Sequence, residues 1–294
     1  MNMEFTFRKM MMSDKEDVLR ICSKIWDGHD FLPSMFDEWV KDEKGYFAAA
    51  LHEGKLVGMG RITFLTETDA WFEGLRKDQD ADIKGMGVAV TRHLLDALRN
   101  NKNLTSIRFC TYFKNMGSVK AGEKCNFKVV QAFSLKEFVF EKEGHKSSSP
   151  SYAPVVRIDD QDRILAYVHK SDFIPLSGNF QCLSWIVHSY TDELFIREFI
   201  DSGQCYAIVE NNEIKALTAI FYGRGFHLAF FDAENFSYAK SLLHYIHVMA
   251  HDKGQWGVEI FLPEYAKLKS WFSDFDYESW EAENDVLVFG HPVD

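Results

Sequence analysis

The stretch LRKDQDADIKGMGVAV, Leu75 to Val90, decides how the chain is read. Gly85 and Gly87 stand just ahead of an apolar run, Val88, Leu94, Leu95 and Leu98, spaced as one face of a helix. A helix start leaves backbone N–H groups without intrahelical partners, and the helix dipole adds positive potential there. That makes a ready cradle for phosphates. Glycine lets the backbone approach a ligand with no Cβ in the way. Asp78, Asp80 and Asp82 crowd the same segment and oppose an anion, while Arg76, Lys77 and Lys84 balance them. Each exposed like-charge contact costs ~0.5–1 kcal/mol after screening. That weakens an anion roughly several-fold without forbidding it. The bland reading is a strand-to-helix turn with Asp82 as its cap.

Working outward, AWFEGLRK reads as the strand entering this loop and VAVTRHLLDALRNN as the helix leaving it. Upstream, SDKEDVLRICSKIWDG is a helix opened by a capping-type Ser13, FDEWVKDEK a second short helix, and GYFAAALHEGKLVGMGRITFL two strands about a turn. Downstream, SIRFCTYF is a strand, NMGSVKAGEKC a short helix and FKVVQAFSLKEFVF another strand. After EKEGHKSSSPSYAP, a charged, Ser- and Pro-rich segment without periodicity, much of that order repeats. The expected organisation is a domain at 1–142, a linker at 143–154 and a second domain at 155–294.

The totals narrow the function classes. The chain has 294 residues, 46% hydrophobic and 15% aromatic, enough for well-packed cores. A formal net charge of -11 gives no basic footprint for nucleic acid. The 5 cysteines are scattered with no C-x-x-C pair, so neither a zinc site nor a disulfide framework is expected. No apolar run approaches the ~20 residues of a membrane span, and the start of the chain does not read as a signal peptide. A reducing, cytoplasmic setting is the expectation.

The order strand, strand, strand, glycine loop, helix, strand, short helix, strand resembles the GCN5-related N-acetyltransferase (GNAT) fold. The family's loop motif, Arg/Gln-x-x-Gly-x-Gly/Ala, lies over Asp82 to Gly87, and a later block matches at Asn115, Ser118 and Glu123-Lys124-Cys125-Asn126-Phe127. IWDGHDFLPSMFDEWVKD, FEGLRK and KGMGVA are similar to the N-acetyltransferase 16 branch, which includes a histidine N-acetyltransferase and carries a degenerate second half. The chain departs from the family pattern at Asp82, at Lys77 and Gln79, and at Gly122, where many relatives place an acid-donating tyrosine.

The resemblance implies an α/β (α+β) fold of tandem GNAT-like domains, each a mixed, mostly antiparallel sheet flanked by helices. It implies acetyl-CoA as cosubstrate and a small amine or free amino acid as acceptor. Backbone groups of Leu75, Arg76 and Lys77 would take the pantetheine arm. Lys84, Gly85, Met86, Gly87 and Val88 would take the pyrophosphate, with Asn115 and Ser118 reaching the cofactor from the next helix. Asn115 reads equally as an ordinary helix cap. Glu73 is the candidate base, acting through a water if the face it shares by strand parity with Trp71, Leu75 and Lys77 lines the cleft. An edge carboxylate paired with a lysine is the alternative. Tyr112 is the candidate proton donor to the thiolate, or simply a half-buried strand aromatic. Trp26, Asp27, His29, Asp30 and Phe31 would wall the acceptor site, Asp27 or Asp30 holding an ammonium. Alternatively, Trp26 and Phe31 pin a polar loop.

In the second half, DAENFSYAKSLL offers no glycine where the phosphate loop would be. It reads as a non-catalytic copy. His244, His247 and His251 fall on one helix face, yet no carboxylate motif accompanies them and no metal is expected. Two functions follow: an acetyl-CoA-dependent N-acetyltransferase, or a catalytically silent double module that binds a metabolite or a protein. The oligomeric state is not readable.

Overall fold

The computed structural model describes residues 4–140, 152–223 and 225–293. The chain forms two compact units, residues 1–130 with 288–294, and residues 131–287. Of the expected linker, residues 143–151 lie outside the described residues. Among the described residues no helix is long and apolar enough to cross a membrane.

The first unit runs β1 (Thr6–Lys9), α1 (Lys15–Cys22), α2 (Leu32–Lys41), β2 (Tyr46–His52), β3 (Lys55–Thr66), β4 (Asp69–Lys77), α3 (Met86–Leu98), β5 (Ser106–Tyr112) and α4 (Met116–Lys124). The chain leaves it within β6 (Lys128–Val139). The strands lie in the order β1-β2-β3-β4-β5, antiparallel except that β4 and β5 are parallel. Helices cover both faces. Val18, Ile21 and Cys22 of α1 and Leu32, Phe36 and Trp39 of α2 recur at helical spacing and bury against Phe47, Ala49 and Met59. On the opposite face, Gly58 and Gly60 of β3 leave room for α3. A Cβ on Gly58 would stand 2.1 Å from the Met86 sulfur, and one on Gly60 2.8 Å from Val90. Ser13 sits inside a 3₁₀ turn, Met12–Asp14. The Asp14 carboxylate, held by Arg8, instead accepts the Met11 N–H at 2.8 Å. Proline in its first turn starts α2 at Leu32, earlier than periodicity suggested.

The second unit continues with β7 (Val155–Arg157), α5 (Gln161–Lys170), α6 (Phe173–Leu176), a hairpin β8 (Phe180–Leu183) and β9 (Ile186–Ser189), and α7 (Asp192–Phe195), which passes into a π turn, Ile196–Ile200. Then come β10 (Cys205–Glu210), β11 (Glu213–Tyr222), β12 (Phe226–Ala233), α8 (Phe236–Asp252), β13 (Gly257–Leu262), α9 (Ala266–Asp274) and β14 (Glu278–Ser279), and the chain re-enters the first unit within β15 (Val286–His291). Strands order as β6-β13-β12-β11-β10-β7, with β12 and β13 parallel. The architecture is thus the expected mixed α/β one. The β8–β9 hairpin was not anticipated. Its strands are only four residues each, too short for alternation to stand out.

Candidate active site

The site of interest in the first unit is where β4 and β5 part. Their parallel ladder joins Asp69, Ala70 and Trp71 to Ser106, Ile107 and Arg108. Beyond it, β4 runs on to Lys77 and β5 to Tyr112 without further pairing between them. A wedge opens along the β4 edge, bordered by the carboxyl ends of two parallel strands.

A bulge shapes β4 at this point. Gly74 has φ +66, and Gly74-Leu75 face the single residue Gly60, since Glu73 pairs with Arg61 and Arg76 with Met59. A side chain at Gly74 would also stand 2.7 Å from the Trp39 ring. The extra residue shifts parity. Glu73 and Arg76 share the face covered by α1 and α2, whereas Leu75 lies near Gly60 and Gly87 on the α3 face. Glu73 therefore does not share a face with Leu75 and Lys77, as uninterrupted alternation would require.

Glu73 is held rather than loose. The Thr63 hydroxyl donates to its Oε1, and Arg61 Nε lies 3.8 Å from the same oxygen while donating to Thr63 at 2.8 Å. Arg61 is 5% exposed, stacks over Trp39 at 4.7 Å and pairs with Asp42 at 2.7 Å. Burial lowers its pKa, and Glu73, Asp42 and Glu38 oppose that. Across the wedge, burial and then the Glu73 charge push the Cys110 thiol up, which keeps it neutral. Tyr112 ends β5, half-buried, its ring edge-on to Phe113 at 5.0 Å.

The loop from β4 to α3 answers the question its aspartates raised. Asp78, 6% exposed, receives Arg20 Nη1 at 2.7 Å and the Asp80 N–H at 3.0 Å. Burial would raise its pKa, but these hydrogen bonds and the Arg20 charge hold it below the ordinary value. Asp80 pairs with Lys24. Two of the three carboxylates are thus tied back to cations on and just after α1. Asp82 and Lys84 stay exposed. Gly85 takes φ +81 as the residue before α3, with no side-chain cap, and its carbonyl accepts the first helical bond from Ala89 at 3.0 Å. The N–H groups of Met86, Gly87 and Val88 have no partner among the described residues. Gly87 packs α3 on α4, where a Cβ would meet Ala121 at an ordinary 3.5 Å.

Asn115 caps α4, accepting the Ser118 N–H at 3.3 Å. Gly122 is required by packing, because a Cβ there would lie 2.6 Å from the Phe109 ring, itself stacked on Phe289 at 4.8 Å. No tyrosine fits that position.

Between α1 and α2, Trp26 and Asp27 adopt positive φ and stay exposed with His29. Asp30 does not face solvent. Arg76 Nε and Nη2 donate to its two oxygens at 2.7 and 2.8 Å, and the Leu32 N–H adds a third bond at 3.1 Å. Burial would raise Asp30, yet the Arg76 bonds and charge hold it below the ordinary carboxylate value. Burial, then the Asp30 charge, pushes the Cys22 thiol up to about 12. The Arg76 guanidinium stacks between Trp26 at 4.6 Å and Phe31 at 5.3 Å. Sequence reading named these aromatic and acidic residues but missed that Arg76, through its side chain, organises them. The only sequence signal was an arginine at the end of a strand.

The family profile described as the acetyltransferase (GNAT) family matches residues 13–127. This segment is a GNAT acetyltransferase domain. The profile spans α1 to α4 and so contains the wedge, the bulge and the uncapped helix start. Solved structures with similar folds extend over both units of this chain. A GCN5-related N-acetyltransferase from Sphaerobacter thermophilus superposes with a TM-score of 0.68 at 7% identity, covering 98% of this chain and 96% of that one. A candidate acetyltransferase from Thermoplasma acidophilum gives 0.59 at 14%, covering 97% and 99%. One from Pyrococcus horikoshii gives 0.55 at 16%, covering 99% and 92%. At such identities the likeness concerns the fold. No curated protein matches the sequence significantly. Acetyl-CoA is the donor used by GNAT acetyltransferases, and the first unit fits it. The unpartnered amides at Met86–Val88 can meet a pyrophosphate, and the open β4 edge can receive an extended arm.

Proposed function

We propose that the chain transfers acetyl from acetyl-CoA to a small amine, a free amino acid being the favoured acceptor, by direct attack of the amine on the thioester. What carries this reading is the conjunction of an open β4–β5 wedge with an uncapped, glycine-started helix at its mouth. The amides of Met86, Gly87 and Val88, with Gly85 and Lys84 beside them, bind the pyrophosphate. Backbone groups of Leu75, Arg76 and Lys77 pair with the pantetheine arm, and one of those N–H groups polarises the thioester carbonyl. Asn115 and Ser118 border the cofactor at the start of α4.

Glu73, kept in place by Thr63 and Arg61, accepts through a water the proton that the attacking amine loses. The tetrahedral intermediate then expels the thiolate, which takes a proton from Tyr112 or from solvent. A thiol pKa of about 8.5 makes that departure easy without a strong acid. The exposed loop carrying Trp26, Asp27, His29 and Phe31 faces the acceptor, and Asp30 acts through Arg76. In this reading residues 1–142 are catalytic, 143–154 link, and 155–294 form a degenerate copy. The branch containing the histidine N-acetyltransferase suggests histidine as the first acceptor to try, and a cytoplasmic setting accords with free amino acids.

The experiment is thiol release from acetyl-CoA with each amino acid in turn, alongside thermal shift with coenzyme A. Acceptor-dependent release with stabilisation by coenzyme A is expected. Absence of both would overturn the proposal.

A further inference from the structure

Arg61 and Thr63 lie two apart on β3 and so share a face, and Arg61 stands opposite Glu73 across the ladder. The guanidinium nevertheless reaches Glu73 through a hydroxyl. Its Nε donates to Thr63 Oγ1 at 2.8 Å, and that hydroxyl donates to Glu73 Oε1. An arginine side chain only donates and does not lose its charge. The Thr63 hydroxyl has a single hydrogen, so with Arg61 behind it that hydrogen goes to Glu73, and the chain of bonds runs one way. Its far end is anchored at Asp42, the residue just after α2. Asp42 Oδ2 accepts Arg61 Nη2 at 2.7 Å and the Gly45 N–H at 3.0 Å, and Oδ1 accepts the Lys44 N–H at 2.9 Å. A Cβ at Gly45 would stand 2.5 Å from Asp42 Oδ2 and 3.2 Å from Arg61 Nη2, so glycine makes room for the pair. Trp39 of α2 lies under the guanidinium at 4.7 Å.

A direct fork between Arg61 and Glu73 would tie up both carboxylate oxygens. The interposed hydroxyl engages Oε1, with Arg61 Nε 3.8 Å away. We propose that Asp42 and Arg61 are positioning residues for acetyl transfer, acting through Thr63 to hold the Glu73 carboxylate oriented for the proton of the attacking amine. This rests on the reading of Glu73 as the base, and adds to it the residues that aim it.

A hydrogen bond given to a carboxylate favours its charged form, and so does a nearby cation. Besides Arg61, the groups around Glu73 include Arg76 on its own strand, which Asp30 takes, and Cys110 and Tyr112 on β5. Burial and then Glu73 push the Cys110 thiol up, so it stays neutral. Asp42 and Glu38 bear on the guanidinium and oppose the effect of its burial. Without the Thr63 hydroxyl, the base should hold its proton to higher pH, and the acid side of the rate profile should move up.

The test is thiol release from acetyl-CoA by the full chain, with the amino acid that reacts fastest, followed as kcat against pH. Thr63→Val keeps the side-chain shape and removes the hydroxyl. It should lower kcat about tenfold, leave the KM for acetyl-CoA unchanged and raise the acid limb by roughly half to one pH unit. Thr63→Ser should recover most of the loss. Asp42→Asn should lower kcat about threefold in the wild-type chain and no further in the Thr63→Val chain, because it acts through that hydroxyl. Arg61→Lys, which keeps a cation but cannot reach Thr63 and Asp42 together, should do the same. Thermal shift with coenzyme A on each variant reports the fold. If Thr63→Val matches wild type while Glu73→Gln is slow, the positioning role falls and the base stands. Losses that multiply in the double variants, or no recovery by serine, also overturn it. A Glu73→Gln chain as fast as wild type removes the base and this inference together.

Discussion

Two helices of this chain occupy the same topological place, yet they begin in opposite ways. Both α3 and α8 follow an antiparallel strand and return to a parallel one. Ahead of α3, residues 78–85 make a long loop that ends on a left-handed glycine without a side-chain cap. Ahead of α8 there are only residues 234–235, and Asn235, in extended conformation, caps the helix by accepting the Tyr238 N–H at 3.0 Å. The Glu234 N–H bonds the Lys215 carbonyl at 2.8 Å. Asp232, just before, is 5% exposed and bonded by Ser171 and Lys267. The strand forks differ too. Gln181 of the β8–β9 hairpin donates to the Ala229 carbonyl of β12 at 2.6 Å, a contact that uses a group an extended ligand would need. Backbone polar groups must find partners somewhere. The start of α8 satisfies one of its leading donors with the Asn235 side chain, whereas the start of α3 has no side-chain cap.

That contrast can be broken most sharply at Glu73. Glu73→Gln should lower kcat about a hundredfold or more while leaving coenzyme A binding in place, measured by thiol release and by thermal shift. An unchanged kcat would place the base elsewhere. Gly85→Val comes next. A β-branched residue at φ +81 is strained by ~1–3 kcal/mol, so the Met86–Val88 amides should lose their alignment and the KM for acetyl-CoA rise about tenfold. The tied-back aspartates offer a finer test. Arg20→Ala with Lys24→Ala frees Asp78 and Asp80 beside the phosphate site, and a rise of roughly threefold in that KM is expected, smaller in high salt. Smallest for the reaction is Asn235→Ala. Loss of the cap should cost ~1 kcal/mol of stability by denaturant unfolding and leave thiol release unchanged.

The three histidines of α8 each stand against an aromatic ring. His244 stacks on Tyr152 at 4.0 Å, His247 on Phe138 at 4.1 Å with a 2.9 Å bond to the Tyr277 hydroxyl, and His251 stands edge-on to Phe140 at 5.6 Å. Among the described residues no group of three His, Cys, Asp or Glu is placed to hold a metal.

The sequence by itself determined the elements of both halves wherever apolar spacing was sustained, the glycine-started helix at Gly85, and the missing counterpart of that loop in the second half. These are local properties, written in periodicity and in the conformations that glycine alone adopts cheaply. Only the tertiary structure decided what the charges do. Arg20, Lys24 and Arg76 lie far along the chain from Asp78, Asp80 and Asp30, apart from Arg76's place on β4, and nothing in spacing joins them. The bulge at Gly74 likewise reversed the parity that places Glu73, because one extra residue in a strand turns every later side chain to the other face.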